Sequence, residues 1–151
     1  MGKKTNEEYK MIDTKGVEAI IPHRGDMRMV DEIRECDESS GVGIKYVRAD
    51  EFWCSGHFPG NPIMPGVLQI EALAQTACFI VFKNMKTTGA ETLGYFTTME
   101  KIKFSNMVKP GDTLELHVEV IANKMNMYKF HGIALVGGKK VSEATFSAIM
   151  N

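Results

Sequence analysis

The chain has 151 residues, 44% of them hydrophobic and 25% charged, which is the balance of a globular protein and excludes a disordered one. Its net charge of -1 argues against a general nucleic-acid binder, which would carry a clear basic excess. Three cysteines, Cys36, Cys54 and Cys78, suit neither a disulfide framework nor a zinc site and read as reduced thiols in a cytoplasmic setting.

Residues 1–10 read as a charged, flexible tail with no secretory signal, and residues 11–151 as one domain. Asp13 or Thr14 can cap a short helix with Val17, Ile20 and Ile21 on one side, ended by Pro22. His23 and Arg24 read as an anchor for that helix. Residues 28–50 predict two strands around a turn at Glu38-Ser39-Ser40-Gly41. Met29, Val30 and Ile33 feed the first, and Val42, Ile44, Tyr46 and Val47 the second.

Residues 55–66 form a loop stiffened by Pro59, Pro62 and Pro65, with Pro65 suited to the first turn of a helix. From Val67 to about Lys83 apolar residues occupy every side, interrupted by Gln69, Glu71, Gln75 and Thr76. The run is short for a membrane span, so no membrane insertion is expected; it predicts a helix wrapped by other elements. After Gly89 the period changes. Gly94 to Phe104 predicts a strand and Pro110-Gly111-Asp112 a turn. In Thr113 to Ile121, Leu114, Leu116, Val118 and Val120 alternate with polar residues. Met127 to Val136 and Val141 to Met150 predict two more strands, joined at Gly137-Gly138. The economical arrangement is α+β: a curved antiparallel sheet of about five or six strands around one long central helix.

The chemistry concentrates in Gly56-His57-Phe58-Pro59-Gly60-Asn61-Pro62-Ile63-Met64-Pro65-Gly66-Val67-Leu68-Gln69-Ile70-Glu71. A histidine in a braced loop, followed by a carboxylate on an apolar helix, makes a candidate acid/base pair. The apolar neighbours Ile70, Ala72 and Ala74 disfavour an ionised Glu71 by desolvation. Gln75, one turn after Glu71, can orient that carboxyl or be an ordinary core amide. Cys54 has no third ligand beside it, and His117 and His131 read as a solvated polar face, so no metal and no cofactor are expected.

The run from Gly56 to Gln75 closely resembles the active-site motif of the bacterial 3-hydroxyacyl-acyl carrier protein dehydratases of fatty-acid synthesis. Ile21-Pro22-His23-Arg24, Val30-Asp31, Gly94-Tyr95-Phe96, Lys103-Phe104, Val108-Lys109-Pro110-Gly111-Asp112 and Lys129-Phe130 extend the likeness from about residue 17 onward. The resemblance implies the hot-dog fold, a homodimer assembling to a hexamer, and substrates carried on acyl carrier protein. It maps the catalytic histidine onto His57 and the catalytic glutamate onto Glu71, meeting across the dimer interface. The related dehydratase-isomerases have aspartate at the latter point. Gly25-Asp26-Met27-Arg28 departs from the family's more apolar Tyr-Pro-containing segment, which puts local packing and a dimer contact in question.

Dehydration needs a base for the C2 proton, an acid for the departing hydroxyl and donors for the thioester oxygen. These roles fall to His57, to Glu71, and to the substrate-binding amides of Gly66 and Val67 at the helix start, with Gln75 beside Glu71. The competing readings are thioester hydrolysis on the same fold and a non-catalytic acyl-binding module. Exposed lysines, including Lys101, Lys103 and Lys109, can steer an acidic carrier protein or be scattered solvated charges.

Overall fold

The computed structural model describes residues 11–151; the expected tail, residues 1–10, lies outside the described residues. One helical turn, α1 (Thr14–Glu18), opens the fold, with the Asp13 side chain accepting from the Gly16 amide at 2.9 Å. The expected helix stops before Pro22 for a specific reason. The helical donor to the Glu18 carbonyl would be residue 22, and proline has no N–H. Arg24 supplies the missing donor at 2.6 Å and also binds the Ile21 and His23 carbonyls.

Six strands follow: β1 (Glu32–Cys36), β2 (Ser40–Tyr46), β3 (Gly94–Phe104), β4 (Thr113–Lys124), β5 (Met127–Val136) and β6 (Lys139–Met150). They form one antiparallel sheet in the order β1-β2-β4-β5-β6-β3. Gly137 and Gly138 both take positive φ in the tight turn between β5 and β6. Met29 and Val30 fall outside β1, contrary to expectation, because their backbone groups bond to side chains. The Met29 amide donates to Gln75 and the Val30 carbonyl accepts from Arg28.

The long helix α2 (Gly66–Met85) fills the concave face and packs against β2, β4, β5 and β6. Every residue from Gln75 to Phe82 is buried, so a helix long and apolar enough to cross a membrane is here the core of the fold. Phe79, Phe82 and Leu73 meet Leu114, Leu116, Phe130 and Phe146 from the sheet. Each such side chain contributes roughly 1.5–3 kcal/mol by leaving water. Gly43 lets α2 approach β2 closely, since a Cβ there would collide with the Thr76 side chain. This is the expected hot-dog arrangement.

Beneath the proline-rich loop lies an ion pair that sequence pattern did not reveal. Lys45 Nζ and Glu51 Oε1 are 2.7 Å apart, with side chains only 3% and 5% exposed. Glu51 also accepts from the Arg48 amide at 2.8 Å and faces the Trp53 indole N–H at 3.4 Å. The Trp53 carbonyl in turn accepts from the His57 amide at 2.8 Å. Replacing Glu51 with alanine leaves a buried ammonium uncompensated and is expected to lower stability by about 3–5 kcal/mol. Urea denaturation reads this; a loss below about 1 kcal/mol, the range of an exposed pair, would contradict the role.

Candidate active site

His57 is fixed from two directions. Its carbonyl accepts from the Ile63 amide at 2.7 Å, and its ring Nδ1 lies 2.7 Å from the Ile63 carbonyl. A carbonyl can only accept, so Nδ1 carries the proton and Nε2 is left with a free lone pair. The ring stacks on Phe58 with centroids 4.2 Å apart. It opens on a cleft of about 470 Å³ shared with Pro65, Gly66, Val67, Phe104 and Met107. The amides of Leu68 and Gln69 both donate to the Pro65 carbonyl. Those of Gly66 and Val67 have no acceptor among the described residues, as expected for the first residues of a helix. The cleft therefore brings together a proton acceptor and two free N–H donors at the positive end of a helix dipole.

Glu71 comes five residues after Gly66, which turns it about 140° around α2 and away from that cleft. It lines a second cavity of about 110 Å³ with His23, Ala74, Gln75, Cys78, Phe96, Phe130 and Met150. Within one chain the two candidate catalytic groups are not brought together. Glu71 Oε1 accepts from Gln75 Nε2 at 2.9 Å and lies 3.7 Å from His23 Nε2.

Gln75 is more than a core amide. Its Nε2 also donates to the Met27 carbonyl at 2.7 Å, and its Oε1 accepts from the Met29 amide at 2.7 Å. It ties the segment from Gly25 to Met29 to the helix and to Glu71. The same segment is further held by Arg28, which reaches Glu18 and Asp31 at 3.0 Å each.

Arg24 alone performs the helix anchoring assigned to it with His23; the His23 ring turns into the Glu71 cavity instead. Cys54 Sγ contacts the Arg48 carbonyl, and burial pushes the Cys78 thiol up to about 12, so it stays protonated. On the outer face of the sheet His131 pairs with Glu143 at 2.9 Å and His117 faces Glu115 at 3.8 Å. His131 and His117 share a cavity of about 500 Å³ with Glu35, Asp37 and Glu119.

A family model described as a FabA-like domain matches residues 21–145. The chain belongs to that family. Among curated relatives, a 3-hydroxyacyl-[acyl-carrier-protein] dehydratase FabZ of Gluconacetobacter diazotrophicus is 45% identical over 92% of this chain and 87% of its own length. The protein of the same name from Acidiphilium cryptum is 40% identical over 95% of this chain and 87% of its own. Solved structures with the same fold include the dehydratase heterocomplex ApeI:P from Xenorhabdus doucetiae, with TM-score 0.77 and 15% identity over 89% of this chain and 90% of that one. A hypothetical thioesterase with coenzyme A from Streptococcus pneumoniae gives TM-score 0.61 and 15% identity over 79% and 84%.

Replacing Gln75 with leucine strips the Met29 amide and the Met27 carbonyl of their partner. It is expected to cost about 1–3 kcal/mol of stability, because buried backbone groups are left unpaired. Thermal denaturation checks this, and an unchanged midpoint would show that water replaces the amide.

Proposed function

We propose that this FabA-like chain is a 3-hydroxyacyl-acyl carrier protein dehydratase of fatty-acid synthesis, acting by His57/Glu71 acid-base catalysis at a site shared between two copies. The coarse activity follows from near full-length likeness to dehydratases at 40% and 45% identity. The observation that carries the shared site is the position of β3. This strand is one of the two sheet edges, bonded among the described residues to β6 alone, and every residue in it is exposed. It presents Tyr95, Phe96, Met99, Ile102 and Phe104 to solvent, an apolar edge of the kind that pairs with another chain.

The two ends of β3 border the two cavities. Phe104 lines the His57 cleft, whereas Gly94 and Phe96 line the Glu71 cavity. Antiparallel pairing of β3 with the same strand of a second copy sets the start of one against the end of the other. That symmetry brings the His57 cleft of each chain toward the Glu71 cavity of its partner. A hexamer of three such dimers is the further assembly this reading carries.

In the shared site His57 Nε2 removes the C2 proton of the acyl chain. The electron pair forms the C2–C3 double bond as the C3 hydroxyl leaves with the proton of Glu71, as water. Negative charge on the thioester oxygen is met by the Gly66 and Val67 amides. The (3R)-hydroxyacyl group becomes a trans-2-enoyl group. The imidazolium and the carboxylate then return their proton balance through water, and no redox step occurs. The apolar wall of Ala74, Ala77, Phe130 and Phe146 receives the acyl tail. Lys101, Lys103 and Lys109 are exposed on the β3 side and steer the acidic carrier, while three free thiols suit the cytoplasm.

His57→Ala and Glu71→Gln are each expected to lower kcat about 10²–10⁴-fold while the circular-dichroism spectrum is kept. The assay is incubation with 3-hydroxyacyl carrier protein and product mass by spectrometry. Release of a free thiol in place of loss of water would identify a thioesterase and contradict the proposal.

A further inference from the structure

We propose that His23 is a positioning residue for Glu71: a neutral N–H donor that, with Gln75, holds one carboxyl oxygen so that the other, Oε2, delivers the proton. The inference rests on the dehydratase reading above.

The geometry is asymmetric at the carboxyl. Both neighbouring nitrogens address Oε1, Gln75 Nε2 at 2.9 Å and His23 Nε2 at 3.7 Å, and no donor is recorded for Oε2 among the described residues. The amide of Gln75 can only donate there, because its oxygen is occupied by the Met29 amide. Oε1 is therefore an acceptor, and any proton on Glu71 sits on Oε2. With Oε1 an acceptor, the His23 tautomer that suits the site carries its hydrogen on Nε2. At 3.7 Å this is an electrostatic contact, and a small approach when substrate fills the cavity turns it into a hydrogen bond.

The other ring nitrogen determines the charge. His23 Nδ1 is buried and has no hydrogen-bond partner among the described residues. A proton on it would be a buried, unpaired donor on a charged ring, which is disfavoured. Burial accordingly lowers the imidazole pKa, against the raising effect of Glu71 and with a smaller lowering effect of Arg24. Among the described residues, the titratable or charged groups beside this ring are Glu71 and Cys78 on α2 and Arg24 on the adjoining segment, and the strands contribute Gly94, Phe96, Phe130, Phe146, Ala148 and Met150 to the same cavity. An imidazolium here would hold Glu71 ionised and remove the acid. A neutral ring orients the carboxyl without doing so.

The test is the pH profile of dehydration by His23 variants of the full chain. His23→Ala is expected to lower kcat about tenfold, the value of one aligned hydrogen bond, with KM little changed. His23→Gln, whose amide nitrogen reaches the Nε2 position, should recover most of it. His23→Lys should move the alkaline fall in kcat to lower pH, because a nearby cation favours the Glu71 carboxylate. Wild-type kcat and pH profile in His23→Ala would overturn the proposal, as would a His23→Gln protein that regains thermal stability and not kcat. Absence of dehydration by the wild-type chain would refute the function reading itself.

Discussion

Much of helix α2 is buried against the sheet, and a polar side chain on its buried side generally needs a partner inside the protein. Thr76 meets the rule within the helix, donating to the Ala72 carbonyl at 3.0 Å. Gln75 meets it with three bonds, two that reach across to Met27 and Met29 and one to Glu71 on the same helix. Glu71 meets it, among the described residues, on one oxygen only. On the proposed dehydratase reading, this carboxyl at the cavity wall, anchored through Oε1, uses its other oxygen to hand over a proton.

The same packing separates the two candidate catalytic groups. The helix start must face the proline-rich loop to present its free amides beside His57, and the helical period then carries Glu71 round to the far side. No adjustment within one chain reverses this. The exposed, apolar edge of β3, whose ends border the two cavities, is where the proposed pairing with a second copy would join them. On the proposed reading dimerisation and catalysis are one property, and the buried Lys45–Glu51 pair serves both by lying beneath the loop that carries His57.

Much of this was legible in the sequence. Strict alternation in Leu114, Leu116, Val118 and Val120 gave β4 its inner face, the paired glycines marked the β5–β6 turn, and the long apolar run gave α2 its burial. The motif singled out His57 and Glu71 through residue type and setting. What stayed hidden depends on contacts distant in sequence. Gln75 meets partners 46 and 48 positions away. Met29 and Val30 read as strand residues because nothing local shows that side chains take their backbone bonds. Likewise nothing local in the sequence pairs Lys45 with Glu51; the contact forms when the loop carrying Glu51 folds over the strand. His23 was assigned with Arg24 by adjacency, although neighbouring residues can point to opposite sides of the chain.

Complementation between inactive chains tests the shared site most directly. Mixing His57→Ala with Glu71→Gln after denaturation and refolding gives mixed dimers with one intact site, so activity should return to about a quarter of wild type on random pairing. No recovery, with mixed dimers present by native mass spectrometry, would contradict the account.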